Sequence, residues 1–173
     1  MQRTSSLESV STRLLQIAEL SRKRPEIALT TLARHIDPFF LREAYERTRK
    51  DGAAGVDQVT AEEYEQELDT NLRSLCDRFK SGTYKAPPVR RVHIPKADGS
   101  KTRPIGIPTL EDKVLQRSVT MVLEAVYEQE FSHCSCGFRP GRSAHDALEA
   151  LWRGLMKEGS CWLGQRSNLY LYP

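Results

Sequence analysis

The chain has 173 residues, 28% of them charged and 39% hydrophobic, with a formal net charge of +3. That length supports a domain with a real core, and the composition points to a soluble globular protein rather than a disordered or membrane one. No apolar run approaches the roughly 20 residues of a membrane helix, and the first residues lack the apolar centre of a secretory signal. The expectation is a cytoplasmic, reducing setting with unpaired thiols and no membrane partner.

Ser5-Ser6-Leu7-Glu8 reads as a capping box that opens a helix, with Leu7, Val10, Leu14 and Ile17 at helical spacing. Arg22-Lys23-Arg24 suits the end of that helix, and Pro25 stops it. The same basic triplet also suits an RNA contact. A second helix is expected from Glu26 to about His35. A third follows Pro38, with Phe39, Phe40, Ala44 and Tyr45 inward, and stops at Lys50-Asp51-Gly52. The small-residue loop Asp51 to Asp57 could approach a ligand closely, although glycine in a connection usually just turns the chain. Thr60 and Glu63 form another capping box. Tyr64, Leu68, Leu72, Leu75 and Phe79 then make one helical stripe, closed by Ser81-Gly82.

Pro87-Pro88 leads into two β-branched runs around Ala97-Asp98-Gly99-Ser100, a hairpin signal because Gly takes the positive φ of a tight turn. By alternation Arg90, Val92 and Ile94 share one face of the first strand, and Val89, Arg91 and His93 the other. Lys101, Arg103, Ile105 and Ile107 line one face of the second, which Pro104 marks as an edge. From Arg78 to Arg103 there are eight Lys or Arg against one acid, Asp98, a local balance of +7; the remainder of the chain therefore carries −4. On charge alone two readings stand: a polyanion site, or a solvated basic edge that resists aggregation.

Thr109 and Asp112 open the longest expected helix, carrying Val114, Leu115, Val119, Val122, Leu123 and Val126. The loop from Phe131 to Arg142 follows. Ser143 and Asp146 then cap a helix with Ala147, Leu148, Leu151 and Leu155 as its apolar stripe, ending near Gly159. Cys76, Cys134, Cys136 and Cys161, with His133 beside the Cys-Ser-Cys pair, fit zinc spacing poorly and read as incidental thiols.

Three blocks stand in order: Arg49-Lys50-Asp51-Gly52-Ala53-Ala54-Gly55-Val56-Asp57 with Thr60; Arg103-Pro104-Ile105-Gly106-Ile107-Pro108; and Gly137-Phe138-Arg139-Pro140-Gly141-Arg142-Ser143-Ala144-His145. Together they resemble the N-terminal blocks of a bacterial-style group II intron reverse transcriptase/maturase, over about residues 30 to 160. The resemblance implies an α+β fold, mostly helical with a basic β-hairpin, forming the fingers and partial palm of a right-hand polymerase. It implies an N-terminal helical extension at 1–37, fingers and the start of the palm at 38–160, and an aberrant tail at 161–173. The loop from Gly52 to Asp57 would lie over the template.

Lys96, Lys101 and Arg103 would meet the incoming triphosphate, since phosphoryl transfer loads charge onto phosphate oxygens that positioned cations neutralise. Ile105, Gly106 and Pro108 would lie beside the templating base. Arg139, Arg142, Ser143 and His145 would hold template near the palm, or serve as loop packing and capping groups. Expected partners are intron RNA as template, a DNA primer and a deoxynucleoside triphosphate.

The family's polymerisation uses carboxylates that hold two Mg²⁺ ions. The first of these Asp residues follows the position of Trp162 in the family pattern. This sequence has no Asp or Glu after Glu158, and Gly164 to Pro173 departs from the pattern, as a truncated or frame-shifted gene would. The sequence expectation is therefore that Mg²⁺ serves the full-length family and none is held by this chain, which binds RNA without polymerising. Exposed palm-facing surface would favour self-association. A non-enzymatic RNA-binding module and an inert remnant are the competing readings.

Overall fold

The computed structural model describes residues 2–24, 32–95, 101–132 and 134–157. It is mostly helical with one two-stranded antiparallel sheet, an α+β chain. It divides into two compact units, Met1–Gln129 and Glu130–Pro173. The turn residues 97–100, Lys96, His133, Cys161 and the tail lie outside the described residues, as does the expected helix from Glu26 up to residue 31.

Helix α1 (Gln2–Lys23) is helical from Gln2, so the chain is already coiled upstream of Ser5 and the capping box expected at Ser5–Glu8 does not start it. Its 22 residues exceed the 18 of α5 (Leu110–Tyr127), which is not the longest helix. Residues Leu32–His35 form a 3₁₀ turn rather than the end of an α-helix. Helix α2 (Pro38–Arg47) begins where proline is best tolerated. The Asp37 side chain accepts from the Phe40 N–H at 2.8 Å, and Arg13 pairs with the same carboxylate. It ends at Arg47, before the expected Lys50, as Thr48 turns to extended backbone. Phe40, Leu41, Ala44 and Tyr45 are fully buried, whereas Phe39 is 61% exposed. Leu41, one turn from Tyr45, takes the inward place expected of Phe39.

The Thr60–Glu63 capping box is complete. The Glu63 N–H donates to Thr60 Oγ1 at 3.2 Å, and the Thr60 N–H donates to Glu63 Oε2 at 2.9 Å. The single expected helix is two, α3 (Ala61–Gln66) and α4 (Leu68–Lys80), with a break at Glu67 (φ −120°, ψ 34°). Tyr64, Leu68, Leu72 and Leu75 nevertheless stay buried on one side. Gly82 closes α4 at φ +71°, the left-handed conformation glycine adopts without a Cβ penalty.

The core of the first unit gathers on α5. Val114, Leu115, Met121 and Val122 of α5 pack with Phe40, Leu41 and Tyr45 of α2 and Val10 and Ile17 of α1, and Leu72 and Leu75 of α4 join the same core from the side of α2. Burying each such side chain contributes about 1.5–3 kcal/mol. Leu123 is 39% exposed, because the buried face of α5 runs through Ser118, Met121 and Val122 instead. Thr109 caps α5, its Oγ1 accepting from the Asp112 N–H at 3.3 Å. The buried Asp112 carboxylate accepts from Tyr84 Oη at 3.1 Å and from Gln116 Nε2 at 2.7 Å. The neighbouring loop presses on this cap. A Cβ on Gly55 would lie 2.6 Å from Thr109 Cα, so the close approach that Gly55 permits is to the chain's own backbone.

Within the second unit, the Ser143–Asp146 cap forms as expected. The Asp146 N–H donates to Ser143 Oγ at 3.3 Å, and the Ser143 N–H donates to Asp146 Oδ2 at 2.6 Å. It opens α6 (Ala144–Lys157). The α6 stripe is not core: Leu148, Leu151, Trp152, Leu155 and Met156 are all exposed.

Candidate nucleic-acid interface

Strands β1 (Arg90–Pro95) and β2 (Thr102–Ile107) pair with Arg90 opposite Ile107, Val92 opposite Ile105 and Ile94 opposite Arg103. Opposed residues share a face, so one face carries Arg90, Val92, Ile94, Arg103, Ile105 and Ile107. The other carries Arg91, His93, Pro95, Thr102, Pro104 and Gly106. With only two strands, both are edges. Nearly every residue of the ribbon is exposed.

Arg103 stands on the first face, Lys101 precedes β2 outside the paired residues, both are exposed, and among the described residues no acid pairs with either. Ile105 stands on that face beside Arg103. Gly106 faces the other way, and a Cβ there would lie 2.9 Å from Val89 Cγ2, so the missing side chain makes room for Val89 at the root of the ribbon. Pro108 follows, half-buried, and joins the ribbon to the cap of α5.

Arg78 is a correction to the charge count. It lies on α4, and its guanidinium forks onto Glu111, with Nη1 to Oε2 at 3.2 Å and Nη2 to the other oxygen. The paired carboxylate holds its pKa above the ordinary arginine value. Its charge is therefore spent on α5 and does not reach the hairpin.

In the second unit Arg139 Nη1 donates to the carbonyls of Ser132 (3.0 Å) and Ser135 (2.8 Å), and its guanidinium stacks over Phe131. It ties its own loop. The Ser143 hydroxyl donates to Asp146 at 2.8 Å, and that bond first, then the backbone bond, holds the Asp146 carboxyl below its ordinary pKa. Arg142 and His145 are exposed. The structure thus brings Arg103 and Ile105 to one face, leaves Lys101 just ahead of the strand, and commits Arg139 and Ser143 to local bonds. Lys96 lies outside the described residues.

Among the described residues no three or more His, Cys, Asp or Glu side chains gather as a metal group. Asp112 is held by Tyr84 and Gln116, and Asp146 by Ser143. This donor set does not fit a magnesium pair.

No family model matches the chain. Protein YkfC of Escherichia coli (strain K12) is 38% identical over 146 residues, covering 78% of this chain and 38% of YkfC. The group II intron-encoded protein LtrA of Lactococcus lactis subsp. cremoris is 41% identical over 99 residues, covering 57% of this chain and 16% of LtrA. The nuclear intron maturase 2, mitochondrial, of Arabidopsis thaliana is 34% identical over 87 residues, covering 46% of this chain and 12% of its own length. The chain is a relative of the group II intron reverse transcriptases and maturases. It spans well under half the length of each of these relatives.

Sequence reading passed over Lys113 and Arg117, which stand four apart on α5. The available signal was this pair of cations one turn apart, the basic residues of α5.

Proposed function

We propose that this chain is the fingers and proximal palm portion of a group II intron-type reverse transcriptase, and that it binds template RNA and nucleotide phosphates through the basic hairpin. The observation that carries this reading is the exposed ribbon with Arg103 beside Ile105 on one face and Lys101 exposed just ahead of the strand, with no acid paired to either cation among the described residues. The ammonium and guanidinium neutralise phosphate oxygens, with Arg103 able to grip two oxygens at once. The apolar stretch of the same face, Val92, Ile94 and Ile105, offers a base a dry surface. Intron RNA, a DNA primer and a deoxynucleoside triphosphate are the partners this reading implies. Mg²⁺ belongs to the full-length family, and this chain by itself does not polymerise. Its site of action is the cytoplasm. The exposed apolar face of α6 supports self-association.

A second reading, a non-enzymatic RNA-binding module, is favoured over an inert remnant by one observation. The first unit closes its own core, with Phe40, Tyr45, Leu75 and Val114 fully buried. Primer extension with Mg²⁺, read beside RNA affinity across a salt series, tests both. The expected result is no extension product and salt-sensitive binding, with Lys101→Gln and Arg103→Gln each lowering the salt slope by about 0.7. Template-dependent synthesis by the purified chain overturns the inactivity. An unchanged slope in the double variant removes the hairpin as the RNA contact.

A further inference from the structure

A second basic surface lies within the first unit, lined by no residue of β1 or β2. The C-terminus of α2 and the loop after it run beside α5, leaving a groove of about 410 Å³ walled by Arg47, Arg49, Lys113, Gln116, Arg117 and Thr120. It adjoins a smaller cavity of about 200 Å³ under the Gly52–Ala54 loop, sharing Arg49 and Lys113.

The cations of this groove differ in how far they are already satisfied. Arg47 donates to Glu43 at 2.6 Å within α2, and Lys50, just beyond the end of that helix, donates back to Glu46 at 3.3 Å. Lys113 Nζ donates to the Ala53 carbonyl at 3.0 Å, and among the described residues no carboxylate pairs with it. Arg117 forms no ion pair among the described residues, and its Nε is buried without a hydrogen-bond partner. A buried donor without a partner is unfavourable, and an incoming acceptor would relieve it. Lys113 and Arg117 are one helical turn apart, about 6 Å between Cβ atoms. Arg49 is held only by Asp51, two residues away, through an exposed fork of 2.5 and 2.9 Å. An exposed pair of this kind is screened by solvent and weak, so a phosphate can take Arg49 from Asp51. Glu62 is the one carboxylate in the lining of the two cavities.

We propose that this groove is a phosphate-backbone site for a single RNA strand, gripped by Lys113 and Arg117 and completed when Arg49 exchanges Asp51 for a phosphate. The proposal rests on the RNA-binding reading above and adds a second place of contact, 60 residues from the loop carbonyl that steadies it.

The test uses the whole chain and a fluorescein-labelled 12-nucleotide RNA, with anisotropy read from 50 to 200 mM salt. Lys113→Gln with Arg117→Gln is expected to weaken binding at low salt at least about tenfold and to lower the salt slope by about 1.4, the share of two charges on a single strand. Lys113→Arg with Arg117→Lys restores binding. Asp51→Asn, on an exposed loop where folding is safe, tightens binding about threefold. Glu19→Gln makes the same change of net charge on α1, far from the groove in sequence, and leaves affinity unchanged.

Two results separate the readings. If the Lys101/Arg103 double variant weakens RNA while the groove variants and Asp51→Asn do not, the groove is overturned and the hairpin stands. If the groove variants weaken RNA and the hairpin variants do not, the hairpin reading falls and the groove stands. Inorganic triphosphate distinguishes a strand from a free nucleotide: release of RNA only at millimolar triphosphate fits a strand site, and release at micromolar triphosphate overturns it.

Discussion

Replacing Gly55 by alanine puts a methyl group where the backbone of another segment already stands. The new Cβ would lie 2.6 Å from Thr109 Cα, 2.8 Å from Thr109 N and 3.0 Å from the Pro108 carbonyl carbon. None of these is the tip of a flexible side chain. Thr109 is also held from its other side, because its Oγ1 caps α5 and its carbonyl accepts from the Lys113 N–H at 3.0 Å. Overpacking of this kind costs about 1–3 kcal/mol, and displacing the cap adds about 1 kcal/mol, giving about 3 kcal/mol in all. For a unit of this size that lowers the thermal midpoint by about 10 °C. Gly52→Ala, three residues away, is the control. Its Cβ would meet only Lys113 Nζ, at 3.8 Å, and its φ is not left-handed. The stiffer unfolded chain should leave that variant unchanged or more stable by about 0.5 kcal/mol. Far-UV circular dichroism on heating and in urea reads both. Equal midpoints for the two variants would refute the argument that space at Thr109, rather than glycine flexibility, is what position 55 supplies.

Tyr84→Phe keeps the ring under the Arg78 guanidinium but removes a donor from the buried Asp112 carboxylate, leaving Gln116 as its side-chain donor; it should cost about 1.5 kcal/mol in urea unfolding. Asp146 has its folded pKa held below the ordinary 3.8 by Ser143. Its capping contribution is therefore complete above that value and is lost as pH falls through the lower folded one. Amide exchange in the first turn of α6 should accelerate below about pH 4 in the wild type, and Asp146→Asn should remove most of that acid step.

What could be read in advance follows the range of the chemistry. The caps at Thr60, Thr109 and Ser143 are exchanges across three residues, so the residues that make them stand together in the sequence. The same signature misleads at Ser5, because it says nothing about whether the chain before it is already helical. The stripe from Tyr64 to Phe79 marks a buried side correctly but not the break at Glu67, since both helices keep the same side inward. Leu41 takes the place expected of Phe39 because Phe40, Leu41, Ala44 and Tyr45 span one arc at about 100° per residue, and Phe39 falls on the opposite side of it. Arg78 is misread for a simpler reason: its partner Glu111 is 33 residues away. The groove on α5 is assembled from segments about 60 residues apart, and the spacing of Lys113 and Arg117 hints at it only once α5 is known to abut that loop. The family reading came from the three blocks, and the relatives bear it out. The ribbon's pairing bears out the face assignment, while the triphosphate role of Lys101 and Arg103 remains a proposal.

Thr109 is where three parts of the first unit are fastened. One proline separates it from the last paired residue of the ribbon, its hydroxyl begins α5, and Gly55 lies flush against its Cα. The ribbon therefore has no free hinge at its base. Tilting it pulls on the first turn of α5 and prises open the seam with the loop, so a pull on Arg103 would be felt at Lys113, one turn beyond the fastening.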